Sequence, residues 1–185
     1  MDLRFVRRCG MERWLEKRPF FEGRIFQVVA GTAVLDDGLI VSREMVVHGG
    51  GVAIVPVLGA EVVLIRQFRI AVGKYLLELP AGRLEGDELP EKRAQQELKE
   101  EVGYEAGRLV TAVSYYTSAG FTNERMHIFL AFDLKPVPQQ PEFDEQIEIV
   151  RLPLAQIPAM LATHAFEDAK TIIGLGELLA RLKAG

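Results

Sequence analysis

Gly82-Arg-Leu-Glu-Gly-Asp-Glu-Leu-Pro-Glu-Lys-Arg-Ala-Gln-Gln-Glu-Leu-Lys-Glu-Glu-Val-Gly-Tyr104 is the stretch that decides the reading of this chain. Pro90 suits the first turn of a helix, where its missing N–H is not needed. Residues 91–102 are mostly strong helix formers, and Gly103 is placed to end the helix. Leu89 offers no side-chain cap. Ala94, Leu98 and Val102 repeat at i, i+4 and i+8 and predict the buried stripe. Glu97, Glu100 and Glu101 stand at i, i+3 and i+4. At roughly 100° per residue, Glu101 falls beside the apolar stripe, Glu97 flanks it and Glu100 lies further round. Glu101 is therefore expected to be partly buried, where an unpaired carboxylate is costly. The spacing alone allows two readings. One is a charged helix face with Lys92, Arg93 and Lys99 as partners. The other is a set of hard oxygen ligands for Mg²⁺ or Mn²⁺.

A chain of 185 residues, 49% hydrophobic and 26% charged, fits one globular domain with a substantial core. A net charge of −4 argues against a general nucleic-acid binder, though not against a phosphate substrate reached through a metal. The single cysteine, Cys9, cannot form an internal disulfide. No apolar run approaches the roughly 20 residues of a membrane span, and Met1 to Lys17 carries scattered charges with no apolar signal core. These features predict a cytoplasmic protein without membrane or nucleic-acid partners.

Residues 24–35 and 39–48 read as strands around the turn Asp36-Asp37-Gly38. Residues 51–58 and 61–69 read as a buried pair around Gly59-Ala60. Tyr75 to Leu79 predicts a short strand running into Pro80-Ala81-Gly82. Strands are also expected at 108–117, 125–134 and 147–152, with helices at 154–163 and 168–183. The class is α+β.

The segment from Gly82 resembles the Nudix hydrolase signature: Gly, five residues, Glu, seven residues, then Arg-Glu-aliphatic-x-Glu-Glu-x-Gly-aliphatic. Gly82, Glu88, Glu97, Leu98, Glu100, Glu101 and Gly103 fall in register. Gln96 stands where the family has Arg, and Tyr104 where an aliphatic residue is usual. Gln donates a hydrogen bond but carries no charge, so weaker bracing of the carboxylates is expected. The resemblance implies an α/β/α sandwich with a mixed central sheet and an N-terminal antiparallel strand extension. It implies residues 49–185 as the hydrolase domain and 1–48 as a dimerisation element of a homodimer. It also implies metal-dependent hydrolysis of a nucleoside diphosphate derivative.

Arg66-Gln67-Phe68-Arg69 followed by Leu77-Glu78-Leu79-Pro80-Ala81-Gly82 resembles the ADP-ribose pyrophosphatase branch and the similar GDP-mannose hydrolases. That likeness implies metal ligation by the Ala81 carbonyl, Glu97, Glu100 and Glu101, with Glu100 also a catalytic candidate. It implies substrate contacts at Arg43, Arg66, Arg69, Glu78, Gly120 and Glu124. Ser118-Ala119-Gly120-Phe121 resembles the branch's Ser-Pro-Gly-Phe loop, with Ala119 replacing a proline that would fix φ. Asp144-Glu145-Gln146-Ile147-Glu148 resembles its acidic loop. Glu145 is the expected base for the attacking water, with Glu142, Asp144 and Glu148 as alternatives. ADP-ribose is the expected substrate, giving AMP and ribose 5-phosphate. GDP-mannose, another nucleotide sugar or a dinucleotide of the FAD type is the alternative. A non-catalytic nucleotide sensor is the reading from another class; loss of metal carboxylates would mark it, and all three are present. His48, His127 and His164 lack zinc-type spacing.

Overall fold

The computed structural model describes residues 10–141 and 146–184. The described chain forms two units. One is Met1–His48 with Thr117–Glu124, and the other is Gly49–Tyr116 with Arg125–Gly185.

The first unit is a three-stranded antiparallel sheet of β1 (Glu12–Glu22), β2 (Phe26–Leu35) and β3 (Ile40–His48), in that order. The β2–β3 hairpin closes at the expected turn. Gly38 has φ 86°, its N–H donates to the Leu35 carbonyl at 2.9 Å, and the Asp37 carboxylate accepts from the Leu39 N–H at 3.0 Å. The sequence did not announce β1. All but one of its residues are exposed, so no apolar alternation marks it, and bulges at Trp14/Glu16 and Pro19/Phe21 break its register. Pro19 is tolerated because β1 is an edge strand.

The second unit has a seven-stranded mixed sheet. It comprises β4 (Gly51–Leu58), β5 (Glu61–Arg69), β6 (Lys74–Glu78), β7 (Ala81–Arg83), β8 (Tyr104–Tyr116), β9 (Arg125–Pro136) and β10 (Ile147–Pro153). The order is β10-β5-β4-β9-β8, with β6 beside β5 and β7 beside β4; β4 and β9 run parallel and the other pairs antiparallel. The helices are α1 (Pro90–Val102), α2 (Ile157–Ala162) and α3 (Ala169–Ala184).

Period-two alternation along β4 and β5 builds both layers. Val52, Ile54, Val63 and Ile65 pack with Ala94, Leu98 and Val102 of α1. Ala53, Val55, Val62 and Leu64 pack with Ile157, Phe166, Leu175 and Leu178 on the α2/α3 side. A Cβ on Gly174 would lie 2.6 Å from Leu79 Cδ1, so α3 sits close against the sheet. The mixed sheet between helical layers matches the α+β expectation. Most boundaries shift by one or two residues, and the larger differences have local causes. β7 is too short to carry a pattern, β8 begins earlier, at Tyr104, and the expected 154–163 helix opens with a 3₁₀ turn at Leu154–Gln156.

Candidate active site

Helix α1 starts without a side-chain cap at Leu89 and ends at Gly103, whose φ of 70° lets its N–H reach the Leu98 and Lys99 carbonyls. Its buried face is Ala94, Glu97, Leu98, Glu101 and Val102. Glu97 is 3% exposed and Glu101 1%, so two of the three carboxylates face inward as the helical phase predicts.

Both meet the same short piece of backbone. A Glu101 carboxylate oxygen accepts from the Ala81 N–H at 2.8 Å. A Cβ added to Gly82 would lie 1.5 Å from Glu97 Oε1. Position 82 is thus glycine because a carboxylate occupies the space of a side chain. Glu100 lies at the rim, where its Oε1 accepts from Gln96 Nε2 at 2.9 Å. Arg93 pairs with Glu97 and lies 3.9 Å from Glu100. Lys99 turns away to Glu105 at 3.4 Å.

The donor set is chemically suited to a hard dication: buried carboxylates against the Ala81-Gly82 backbone, with a cradle that a Cβ would fill. Among the described residues, no three His, Cys, Asp or Glu side chains converge into a ready cage. Glu97 is turned to Arg93 and Glu100 to Gln96 instead.

On the other side of Leu79-Pro80 lies a second buried acid. Glu78, 1% exposed, takes a two-pronged contact from Arg69, Nε to Oε1 at 2.7 Å and Nη2 to Oε2 at 2.9 Å. Lys170 of α3 also pairs with Glu78 and lies 3.0 Å from Asp168. Asp168 caps α3, accepting from the Thr171 N–H at 3.0 Å and the Thr171 hydroxyl at 2.6 Å. The same hydroxyl accepts from the Leu79 N–H at 2.8 Å. Burial pushes the Glu78 carboxyl pKa up, but the Arg69 hydrogen bonds and the Lys170 charge outweigh it and hold it below its ordinary value. Arg69 and Glu78, expected as substrate contacts, therefore bind each other. Lys170, Asp168 and Thr171 were not singled out from sequence. One signal was available: a lysine in the first turn of a helix opposes the macrodipole and calls for an acidic partner.

Arg66 lies 3.0 Å from Glu148, with its guanidinium 4.5 Å from the centre of the Tyr75 ring. The remaining candidates belong to the first unit. Arg43 pairs with Glu12 at 2.7 Å. Glu124 accepts from the Thr117 hydroxyl at 2.7 Å and lies 3.5 Å from His48 Nδ1. Nothing lies within 4 Å of a Cβ built on Gly120, so packing does not demand glycine there. The loop from Thr117 to Glu124 is fastened to β3. The Val46 N–H donates to the Phe121 carbonyl at 2.8 Å, and the His48 N–H to Asn123 Oδ1 at 2.9 Å. These bonds restrain a loop that Ala119 itself does not stiffen.

Glu142, Asp144 and Glu145 lie outside the described residues. The loop that leads to them starts beside α1: Gln139 Nε2 donates to the Glu101 carbonyl at 2.6 Å and the Val137 N–H to the Gly103 carbonyl at 2.9 Å.

A glutamate-lined helix against a Gly-containing turn, on a mixed sheet between helical layers, has counterparts among known proteins. A NUDIX domain model matches residues 47–174. The chain belongs to the Nudix family. It is similar to an ADP-ribose pyrophosphatase of Bacillus subtilis (strain 168), 34% identical over 163 residues, 86% of this chain and 88% of the relative. It is 30% identical over 167 residues to a methanol dehydrogenase activator of Bacillus methanolicus, covering 89% of this chain and 90% of that one. It is 38% identical over 126 residues to a GDP-mannose pyrophosphatase of Citrobacter koseri (strain ATCC BAA-895 / CDC 4225-83 / SGSC4696), covering 63% and 65%. A crystal structure of an ADP compounds hydrolase superposes with a TM-score of 0.83 at 25% identity, covering 94% of this chain and 95% of that one. This Nudix protein is a pyrophosphatase, a hydrolase of nucleotide pyrophosphate bonds. No helix among the described residues is long and apolar enough to cross a membrane.

Proposed function

We propose that this Nudix hydrolase cleaves the pyrophosphate of ADP-ribose, giving AMP and ribose 5-phosphate, with Mg²⁺ or Mn²⁺ at the α1 site. The observation that carries the proposal is the burial of Glu97 and Glu101 against the Ala81-Gly82 backbone. Glu97, Glu101, Glu100 and the Ala81 carbonyl would hold the metal. When bound, it would neutralise the diphosphate and acidify a water. Arg69 is oriented by Glu78 through Nε and Nη2, which leaves its Nη1 edge for a phosphate oxygen. Glu145 is assigned to orient the attacking water, on the strength of its register in the acidic loop. Its removal as Glu145→Gln should lower kcat far more than substrate affinity. A crippled Glu142→Gln or Glu148→Gln beside an active Glu145→Gln would move the role.

The first unit is assigned to dimerisation. Its strands and turns expose Leu15, Phe20, Phe21, Ile25, Phe26, Leu39 and Ile40, apolar side chains that a second copy could cover. A monomer in light scattering at micromolar concentration would remove that assignment.

The deciding assay is a panel of ADP-ribose, GDP-mannose, other nucleotide sugars and FAD, with Mg²⁺ or Mn²⁺ and products resolved by chromatography. AMP and ribose 5-phosphate at the highest kcat/KM is the expected result. GDP-mannose is the second reading, favoured by Ala119 in the loop and by the similarity to a GDP-mannose pyrophosphatase. GMP and mannose 1-phosphate as the preferred products would install it. Binding without turnover on every compound would favour the sensor reading.

A further inference from the structure

We infer that Arg93 is the internal counter-ion of the α1 carboxylate cluster, a positioning residue that supplies at one position the charge that Gln96 lacks. The inference rests on the proposed metal site. Arg93 lies one turn before Glu97 and pairs with it; its Nη1 is 3.9 Å from Glu100. Its side chain is 14% exposed, far less than expected of an arginine on a solvated helix face. Its Nε is buried with no hydrogen-bond partner among the described residues. That desolvation is unfavourable, and only the carboxylates around the guanidinium offset it.

Helix stability does not account for this placement. An arginine preceding a glutamate is the weaker order for an i,i+4 pair, and such a pair contributes little to an isolated helix. The arrangement makes sense as local neutralisation. Glu97 and Glu101 are both held out of water, and like charges at this spacing repel unless a cation stands among them. Gln96 reaches the same cluster, donating to Glu100 at 2.9 Å, but as a neutral amide. A positive charge placed at position 96 would therefore reach Glu100, one of the two carboxylates that Arg93 serves.

The experiment measures thermal unfolding without metal and with saturating Mn²⁺ for wild type, Arg93→Met, Arg93→Lys and Arg93→Met combined with Gln96→Arg. Arg93→Met should lower the metal-free Tm by about 5–15 °C. Arg93→Lys should retain most of the wild-type value. Adding Gln96→Arg to Arg93→Met should restore most of the loss. Mn²⁺ should raise the Tm of Arg93→Met by more than that of wild type, because it replaces the missing charge. A double variant as unstable as Arg93→Met overturns the inference, as does an Arg93→Lys protein equally unstable, since packing would then be the role. An unchanged Tm in Arg93→Met also overturns it. Should Arg93→Met not fold, Arg93→Lys and the double variant decide by the same criteria. A wild type that responds to Mn²⁺ but hydrolyses nothing in the panel sinks the proposed substrate and leaves Arg93 in place. A wild type indifferent to Mn²⁺ sinks the metal reading, and the metal-free comparison still decides for or against Arg93.

Discussion

Two acidic groups, one built around a single buried glutamate and the other around two, flank the segment Leu79-Pro80-Ala81-Gly82, and their charges are met differently. Upstream, Glu78 is matched by two cations, Arg69 and Lys170, and Asp168 joins the pair to the cap of α3. Downstream, Glu97, Glu100 and Glu101 crowd one helix face. Arg93 serves two of them, the neutral donors Gln96 and the Ala81 N–H bond Glu100 and Glu101, and Arg69 acts on Glu101 through its charge. A matched network around a buried acid anchors structure, because the carboxylate that has lost its water has gained cationic partners. A crowded acidic group stores a demand for positive charge, which a dication can meet. The backbone between them gives one N–H to each side, Leu79 to Thr171 and Ala81 to Glu101.

If that contrast is right, substitutions on the two sides fail in different ways. Glu101→Gln should cut kcat by on the order of a thousandfold, since metal catalysis contributes several kcal/mol, while the metal-free Tm stays level or rises. Near-normal turnover at saturating Mg²⁺ would break the comparison at its downstream end. Lys170→Met should do the reverse first: a stability loss of about 3–5 kcal/mol, because Glu78 and Asp168 lose a shared buried cation. Thermal unfolding reads it, and a Tm within a degree of wild type would break the upstream end. Gly82→Ala should sharpen the picture of the cradle. The new Cβ displaces the Glu97 carboxylate, and a misplacement of this kind should lower kcat about 100-fold, with a higher Mn²⁺ concentration needed for half-maximal rate. Unaltered metal dependence in that variant would mean Glu97 is not a ligand.

The smallest expected effect is on pH dependence. The Glu78 pKa is lowered in the folded protein, so the carboxylate adds stability above its unfolded pKa and loses it as pH falls through the folded one. Glu78→Gln should therefore be less stable than wild type at neutral pH. The gap should close on acidification through and below the ordinary carboxylate range. A gap that stays constant in denaturation curves down to low pH would show that charge is not what Glu78 contributes.

Helix α1, its inward carboxylates, the β2–β3 turn and the β4–β5 pair could all be read from the chain, because period, turn chemistry and capping are local. They fix which way a side chain points within its own element. The sequence alone thus placed Glu101 beside the buried stripe, Glu97 at its flank and Glu100 further round, and its Gln96 marked a missing charge; the structure buries both Glu97 and Glu101. Only the tertiary structure decided what each charge meets. Arg69, expected as a substrate contact, is held in place by Glu78 on the neighbouring strand. Glu78 in turn needs Lys170, 92 residues away, which no local pattern connects to it. Gly82 owes its identity to a carboxylate arriving from α1, and β1 exists because β2 offers it a free edge despite its lack of alternation. Pairings of this kind depend on how elements stack, and stacking is settled by the core as a whole, not by the spacing of residues along any one stretch.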